Sequence, residues 1–258
     1  MNFSSKPLLR LFPRFRRLEA ERNRLREELN RLRLEEADTP TFFPAGHFYS
    51  PLPSRREIAE AFARGGFGPP FPGIELNEAA QAERLERLAA WYPEQPFPEQ
   101  PAEGHRYHLD NPSYGHYDAI MLYGMLREAR PGRIIEVGSG LSSAAMLDLN
   151  DRVLGGAVNF TFIDPDMTRL RPLLRPDDHA RVTLIERRVQ EVPLETFAAL
   201  RENDVLFIDS SHVSKIGSDV NRLYFDVLPV LEPGVLIHIH DVAGNLEDPR
   251  EGPRRGRA

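Results

Sequence analysis

From about residue 117 onward, short β-branched apolar runs alternate with helical patterns, and this alternation constrains the fold more than any other feature. The runs lie at 133–138 (RIIEVG), 159–164 (NFTFID), 181–185 (RVTLI), 204–209 (DVLFID) and 234–240 (GVLIHIH). Helical segments at 142–152, 167–175, 194–201 and 219–231 separate them, and a helix capped by Asp118 and stopped by Pro131-Gly132 leads into the first. Strands that are apolar throughout are buried on both faces, and helices between them supply right-handed crossovers. The expected fold is therefore α/β: a Rossmann-like, mostly parallel sheet with helices on both faces. In such sheets ligands bind beyond the carboxyl ends of the strands, so those ends are where chemistry is sought.

The residues before this domain have a different character. Thirteen of the 23 prolines fall in residues 1–101, whereas 13 of the 18 glycines fall after it. The pattern predicts a helical, Pro-rich N-terminal extension: an amphipathic, coiled-coil-like helix in 1–38, then a Pro-rich linker with short helices over 39–104. The α/β domain occupies 105–242, and a polar, disordered tail follows over 243–258. Pro13 is placed to open a helix running to Glu36. Leu11, Leu18, Leu25 and Leu32 recur every seven residues, with Phe15 and Leu29 at alternate seam positions and Arg22 breaking the third. That seam permits a homo-oligomer through residues 13–36; a solvated helix rich in Arg and Glu is the competing reading. A further short amphipathic helix is expected from Asn77 to Trp91.

Composition excludes several classes. With no cysteine there is no disulfide framework, Cys-ligated zinc, iron–sulfur cluster or thiol catalysis. A net charge of −6 argues against nucleic acid as a partner. No apolar run approaches the roughly 18 residues of a transmembrane segment, and the N-terminus lacks a signal-peptide pattern. The expected location is cytoplasmic.

The first strand runs into Glu136-Val137-Gly138-Ser139-Gly140-Leu141-Ser142-Ser143. Glycines at 138 and 140 let the backbone turn and approach a ligand, and the helix starting at Ser142 aims free N–H groups at the same crevice. The second strand ends in Asp164, 21 residues after Ser143, where a carboxylate suits the hydroxyls of a ribose. A dinucleotide fingerprint wants Gly or Ala at the place of Ser143 and has no use for an acid at Glu136. A nicotinamide-dependent oxidoreductase is disfavoured accordingly. An acid followed by Gly-x-Gly resembles the first motif of the class I S-adenosylmethionine-dependent methyltransferases.

The resemblance extends over about 107–242. RIIEVGSGLSSAAMLD, FIDP, DVLFIDSSHVSKIGSDVNRLYFDVLPVLEPG and VLIHIHDV resemble the blocks of the methyltransferase-24-like family, which is related to small-molecule O-methyltransferases. The resemblance implies S-adenosylmethionine as cofactor and a small-molecule or glycan-type hydroxyl as methyl acceptor. It implies that Glu136, Gly138, Gly140 and Ser142 line the methionine end, that Asp164 holds the ribose, that Val189 and Gln190 lie near the adenine, and that Asp209 borders the cofactor. The lead-in cluster of Tyr107, Asn111, Tyr114, Gly115, His116 and Asp118 is expected to pack over it.

The fourth run ends in Asp209-Ser210-Ser211-His212 and the fifth in His238-Ile239-His240-Asp241. Asp209, Asp241 and His240 form a candidate divalent-metal site for Mg²⁺ or Mn²⁺, and related catechol-type methyltransferases hold a metal with carboxylates at these strand ends. The imidazole of His240 departs from an all-oxygen shell. Without metal, His240 or His212 is the candidate general base beside Asp209. His238 is expected to be structural, turned into the sheet. Lys215 is either an acceptor-orienting cation or a surface lysine. After Val242 sixteen polar residues remain, so the usual sixth and seventh strands are expected to be missing, which raises an inactive cofactor-binding or scaffold protein as the alternative function.

Overall fold

The computed structural model describes residues 17, 18, 20–29, 43, 45–50, 52–64 and 71–242. The chain divides into two compact units, one comprising Met1–Gly68 with Asn245–Ala258 and the other Pro69–Gly244. In the first unit, residues 17, 18 and 20–29 are helical, and α1 spans Arg55–Arg64. Leu18, Leu25 and Leu29 are all exposed, so the expected apolar stripe exists on the described helix but has no partner surface among the described residues of that unit. Leu11, Phe15, Leu32 and the tail at 243–258 lie outside the described residues.

The second unit carries a five-stranded sheet: β1 (Arg133–Val137), β2 (Asn159–Ile163), β3 (Val182–Ile185), β4 (Val205–Ile208) and β5 (Leu236–Ile239). The order is β3-β2-β1-β4-β5, with every pairing parallel. The order reverses between β1 and β4, which opens a crevice above their carboxyl ends. On one face lie α2 (Glu78–Ala89), α3 (His116–Ala129) and α4 (Leu141–Arg152), packed on Ile134, Phe160, Phe162 and Phe207. On the other, α5 (Leu194–Ala198) and α6 (Asp219–Arg222) cover Ile135, Val137, Leu206 and Ile208. Each β-strand alternates its side chains between these two cores, which is why the runs read as continuously apolar.

Several expectations need correction. Residues 167–175 form turns with a 3₁₀ segment only at Arg171–Leu173, because Pro172 and Pro176 remove the N–H groups an α-helix needs. The helix after Pro193 stops at Ala198. The helix expected over 219–231 is α-helical only to Arg222, then π-helical over Leu223–Val227 and 3₁₀ over Leu228–Val230, as the Pro229 ring displaces the regular ladder. The expected linker at 39–104 is also divided, since its later part packs on the α/β core. Leu88 of α2 meets Gly124 of α3, where a Cβ would come within 3.1 Å, and Phe97 lies edge-on to Tyr107 at 4.8 Å.

A buried ion network fixes this lead-in. The Arg106 guanidinium donates to Asp148 at 2.8 Å, to Asp178 at 2.6 Å and to Asp151 at 2.8 Å, while the Asp148 carboxylate also accepts the backbone N–H of Arg106 and Tyr107. Arg106, Asp148 and Asp178 are almost wholly enclosed, their side chains only 3%, 1% and 2% exposed. Charges this deep persist only when paired and hydrogen-bonded, so the network pins residues 106–107 to α4.

Candidate active site

The crevice is built on the turn after β1. Gly138 has φ +89°, and a Cβ there would overlap the backbone carbonyl of Asp209. Only glycine fits both demands. Its N–H bonds to Ile163 O at 3.0 Å, and Asp209 N–H bonds to Val137 O at 2.8 Å, so the ends of β1, β2 and β4 are tied together. Gly140 is extended and leaves open space where a Cβ would stand, and Ser142 and Ser143 open α4 beside it.

Glu136 is fully buried. Its two oxygens accept the hydroxyls of Ser142, at 2.5 Å, and Ser143, while Gly140 N–H donates to Ser143 Oγ. In this structure its carboxyl braces the turn and has no exposed face, contrary to the expectation that it lines the crevice. Burial pushes it up to about 8; the serine hydroxyls oppose that shift, and the nearby Asp209 and Asp164 charges add to it. Asp164, half-buried, accepts Ser139 N–H and Asp166 N–H, both at 2.8 Å, one on each oxygen. Beside it, Ser139 Oγ is buried with no hydrogen-bond partner. This orphaned hydroxyl and the free space at Gly140 fit a polar ligand seated on the turn.

Val189 is buried in the second core, and the Gln190 amide donates to Gly217 O at 2.8 Å, holding the loop after β4. Lys215 is exposed on that loop. In the lead-in, Asn111 and Asp118 make the turn and helix start: Asn111 Oδ1 accepts Tyr114 N–H at 2.8 Å, and Asp118 Oδ2 accepts Gly115 N–H at 3.1 Å. His116 bonds to Tyr92 at 3.2 Å. Tyr114 of this cluster reaches the mouth, its ring 5.3 Å from that of His240. Burial pushes the Tyr114 phenol far up, and that of Tyr107 up to about 12.

At the mouth, Asp209, His240 and Asp241 bring one ligand atom each to within 4.8 Å of one another. His212 Nε2 stands between the carboxylates, 3.3 Å from Asp209 Oδ1 and 3.6 Å from Asp241 Oδ2. His240 Nε2 is 3.7 Å from Asp241 Oδ1. Burial raises the Asp209 carboxyl; the imidazoles of His240 and His212 oppose it and Asp241 reinforces it. His212 and Asp241 both adopt left-handed backbone, at φ 59° and 56°, a region that His and Asp enter more readily than most residues. His238 stacks flat on Phe207 at 4.2 Å, and burial pushes it down to about 4. Two oxygens and a nitrogen suit Mn²⁺ or a later transition ion better than Mg²⁺. Sequence reasoning missed Ser139, whose place between two glycines was the available signal, and the specific reach of Tyr114.

A turn of this kind at the switch point of a parallel sheet, with a spaced acid and a carboxylate–imidazole mouth, is the arrangement of a Rossmann-like ligand crevice. A family profile described as a methyltransferase domain matches residues 135–242. An uncharacterized protein of Archaeoglobus fulgidus is 30% identical over 174 residues, covering 62% of this chain and 75% of that one. The chain belongs to the methyltransferase-domain family, the class I S-adenosylmethionine-dependent methyltransferases. Among solved structures, a CmcI protein with Mg and SAM shares 22% identity at a TM-score of 0.37, covering 67% of this chain and 70% of its own. A methyltransferase from Geobacter sulfurreducens shares 18% identity at a TM-score of 0.29, covering 69% and 72%. Family membership sets aside the nicotinamide oxidoreductase. No described helix is long and apolar enough to cross a membrane.

Proposed function

We propose that the protein transfers a methyl group from S-adenosylmethionine to a hydroxyl oxygen of a small-molecule or glycan-type acceptor, assisted by a divalent ion at Asp209, Asp241 and His240. The observation that carries this reading is the contact of Gly138 with the Asp209 carbonyl, which joins the cofactor turn directly to the carboxylate–imidazole cluster. The bound cofactor supplies an electrophilic sulfonium methyl. The ion, when bound, lowers the pKa of a hydroxyl and relieves the repulsion between the two carboxylates.

The chain's own groups do the rest. Asp164 keeps lone pairs for two ribose hydroxyls after serving its backbone donors, and Ser139 Oγ offers an unused donor on the same side. Ser142 holds Glu136 and so shapes the methionine end, while Val189 and Gln190 bound the adenine side. Holding the acceptor oxygen in line with the methyl supplies most of the rate, and proton removal the remainder. A second, metal-free reading has its own support: His212 Nε2 faces both carboxylates, which hold its proton there and leave Nδ1 to take the hydroxyl proton as general base, the carboxylates stabilising the imidazolium that forms.

The test is methyl transfer to a panel of catechols, phenols and glycans, with EDTA, Mg²⁺ or Mn²⁺. Metal-dependent transfer that Asp209→Asn abolishes supports the first reading. Transfer that persists in EDTA and is lost in His212→Ala supports the second. Transfer to nitrogen acceptors alone, or to none while cofactor binds, overturns both and leaves the cofactor-binding scaffold.

A further inference from the structure

The side chains of residues i and i+2 on a strand share one face, so the sequence His238-Ile239-His240 puts both imidazoles on the face occupied by Phe207 and Tyr114. Their arrangement is specific. His238 Nε2 and His240 Nδ1 are 3.5 Å apart, the ring centroids are 5.7 Å apart and the planes differ by 24°. The centroid separation is the nitrogen separation plus roughly one ring radius at each end. The two nitrogens therefore point at each other along the line joining the rings, the alignment of an in-plane hydrogen bond. His238 cannot easily turn away, because its ring lies flat on Phe207, its register partner on β4, with planes only 8° apart.

A neutral imidazole carries one N–H and one lone pair, so a bond between two of them fixes the tautomer of both. The direction of the bond follows from the far side of His240. Its Nε2 lies 3.7 Å from the nearer carboxylate oxygen of Asp241, beyond hydrogen-bond distance, whereas His212 Nε2 reaches Asp209 at 3.3 Å. No carboxylate hydrogen bond therefore holds a proton on His240 Nε2, whereas a proton on Nδ1 has an acceptor in His238 Nε2. We infer that His238 is a positioning residue: it accepts the Nδ1–H of His240 and so holds the Nε2 lone pair of His240 toward Asp209 and Asp241. This inference rests on the proposed role of His240 at the mouth. It goes beyond that role by giving His238, otherwise a core residue, control of which His240 nitrogen is free to bind or accept.

Metal-ligating histidines generally need such a partner for the other ring nitrogen, and its loss lowers metal affinity about 10–100-fold. The tautomer is read without metal, by long-range ¹⁵N–¹H correlation of the full chain at neutral pH. His240 is expected to show Nδ1 protonated and Nε2 bare. In His238→Phe, which keeps the ring stack on Phe207 but has no acceptor, the pattern should move toward the Nε2–H form. His238→Gln, whose amide oxygen can accept, should restore it at least in part. An Nε2–H pattern in the parent, or one unchanged in His238→Phe, overturns the inference.

Mn²⁺ calorimetry on the same proteins separates this inference from the reading beneath it. Binding that weakens at least 10-fold in His238→Phe and recovers in His238→Gln supports both. A parent that binds no Mn²⁺ sinks the metal reading, while the tautomer pattern still decides the role of His238.

Discussion

Replacing Glu136 by Gln should stabilise the protein, and by an amount that grows with pH. Glu136 is fully buried and burial lifts its carboxyl from 4.5 to about 8, the serine hydroxyls opposing the shift. A folded-state pKa above the unfolded one gives a contribution that is complete below the unfolded value and is lost as pH rises through the folded one. Between 4.5 and 8 the parent should thus lose about 1.4 kcal/mol per pH unit relative to a neutral side chain, or about 3 kcal/mol at pH 7. Glutamine keeps the shape and is never charged, and the rotatable hydroxyls of Ser142 and Ser143 can pair with its amide. Urea denaturation of parent and Glu136→Gln at pH 5, 6, 7 and 8 measures the difference, in which other titrating groups cancel. A difference that is flat across this range, or that favours the parent at pH 8, refutes the buried-carboxyl account.

Other substitutions separate the roles of neighbouring residues. Gly138→Ala combines positive φ with backbone overlap at Asp209, so it should destabilise by at least about 1–3 kcal/mol in denaturant titration. Gly140→Ala should leave stability within about 0.5 kcal/mol, because the added methyl enters open space, yet it should weaken cofactor binding in calorimetry by filling the cradle. Arg106→Ala strands the buried carboxylates of Asp148 and Asp178 and should cost about 3–5 kcal/mol in the same titration. If residues 13–36 form an association seam, removing residues 1–38 should lower the mass seen by light scattering; an unchanged mass rejects the seam.

The five strands were legible because each run is apolar on both sides and flanked by turn residues, and the observed boundaries differ from the sequence reading by no more than two residues. The glycine turn, Asp164 and the pair Asp209 and Asp241 were legible because a parallel sheet gathers its strand ends at one edge. What escaped were features set by distant partners. Arg106 meets Asp148 and Asp178, 42 and 72 residues away, and no local pattern announces that pairing. Glu136 reads as a ligand-facing acid until Ser142 and Ser143 are seen to enclose it. Residues 167–175 carry apolar spacing suited to a helix, but Pro172 and Pro176 prevail over it. The alternation that puts His238 and His240 on one face was readable; their head-on nitrogens depend on how Phe207 seats the first ring.

The central claim is that the turn from Glu136 to Ser143, with Asp164, seats S-adenosylmethionine. The direct measurement is calorimetric titration of the full chain with S-adenosylmethionine and S-adenosylhomocysteine, repeated on Asp164→Ala. The account predicts saturable binding at one site per chain, weakened by about 1–3 kcal/mol when the ribose hydroxyls lose their carboxylate. Equal affinity in parent and Asp164→Ala would contradict it.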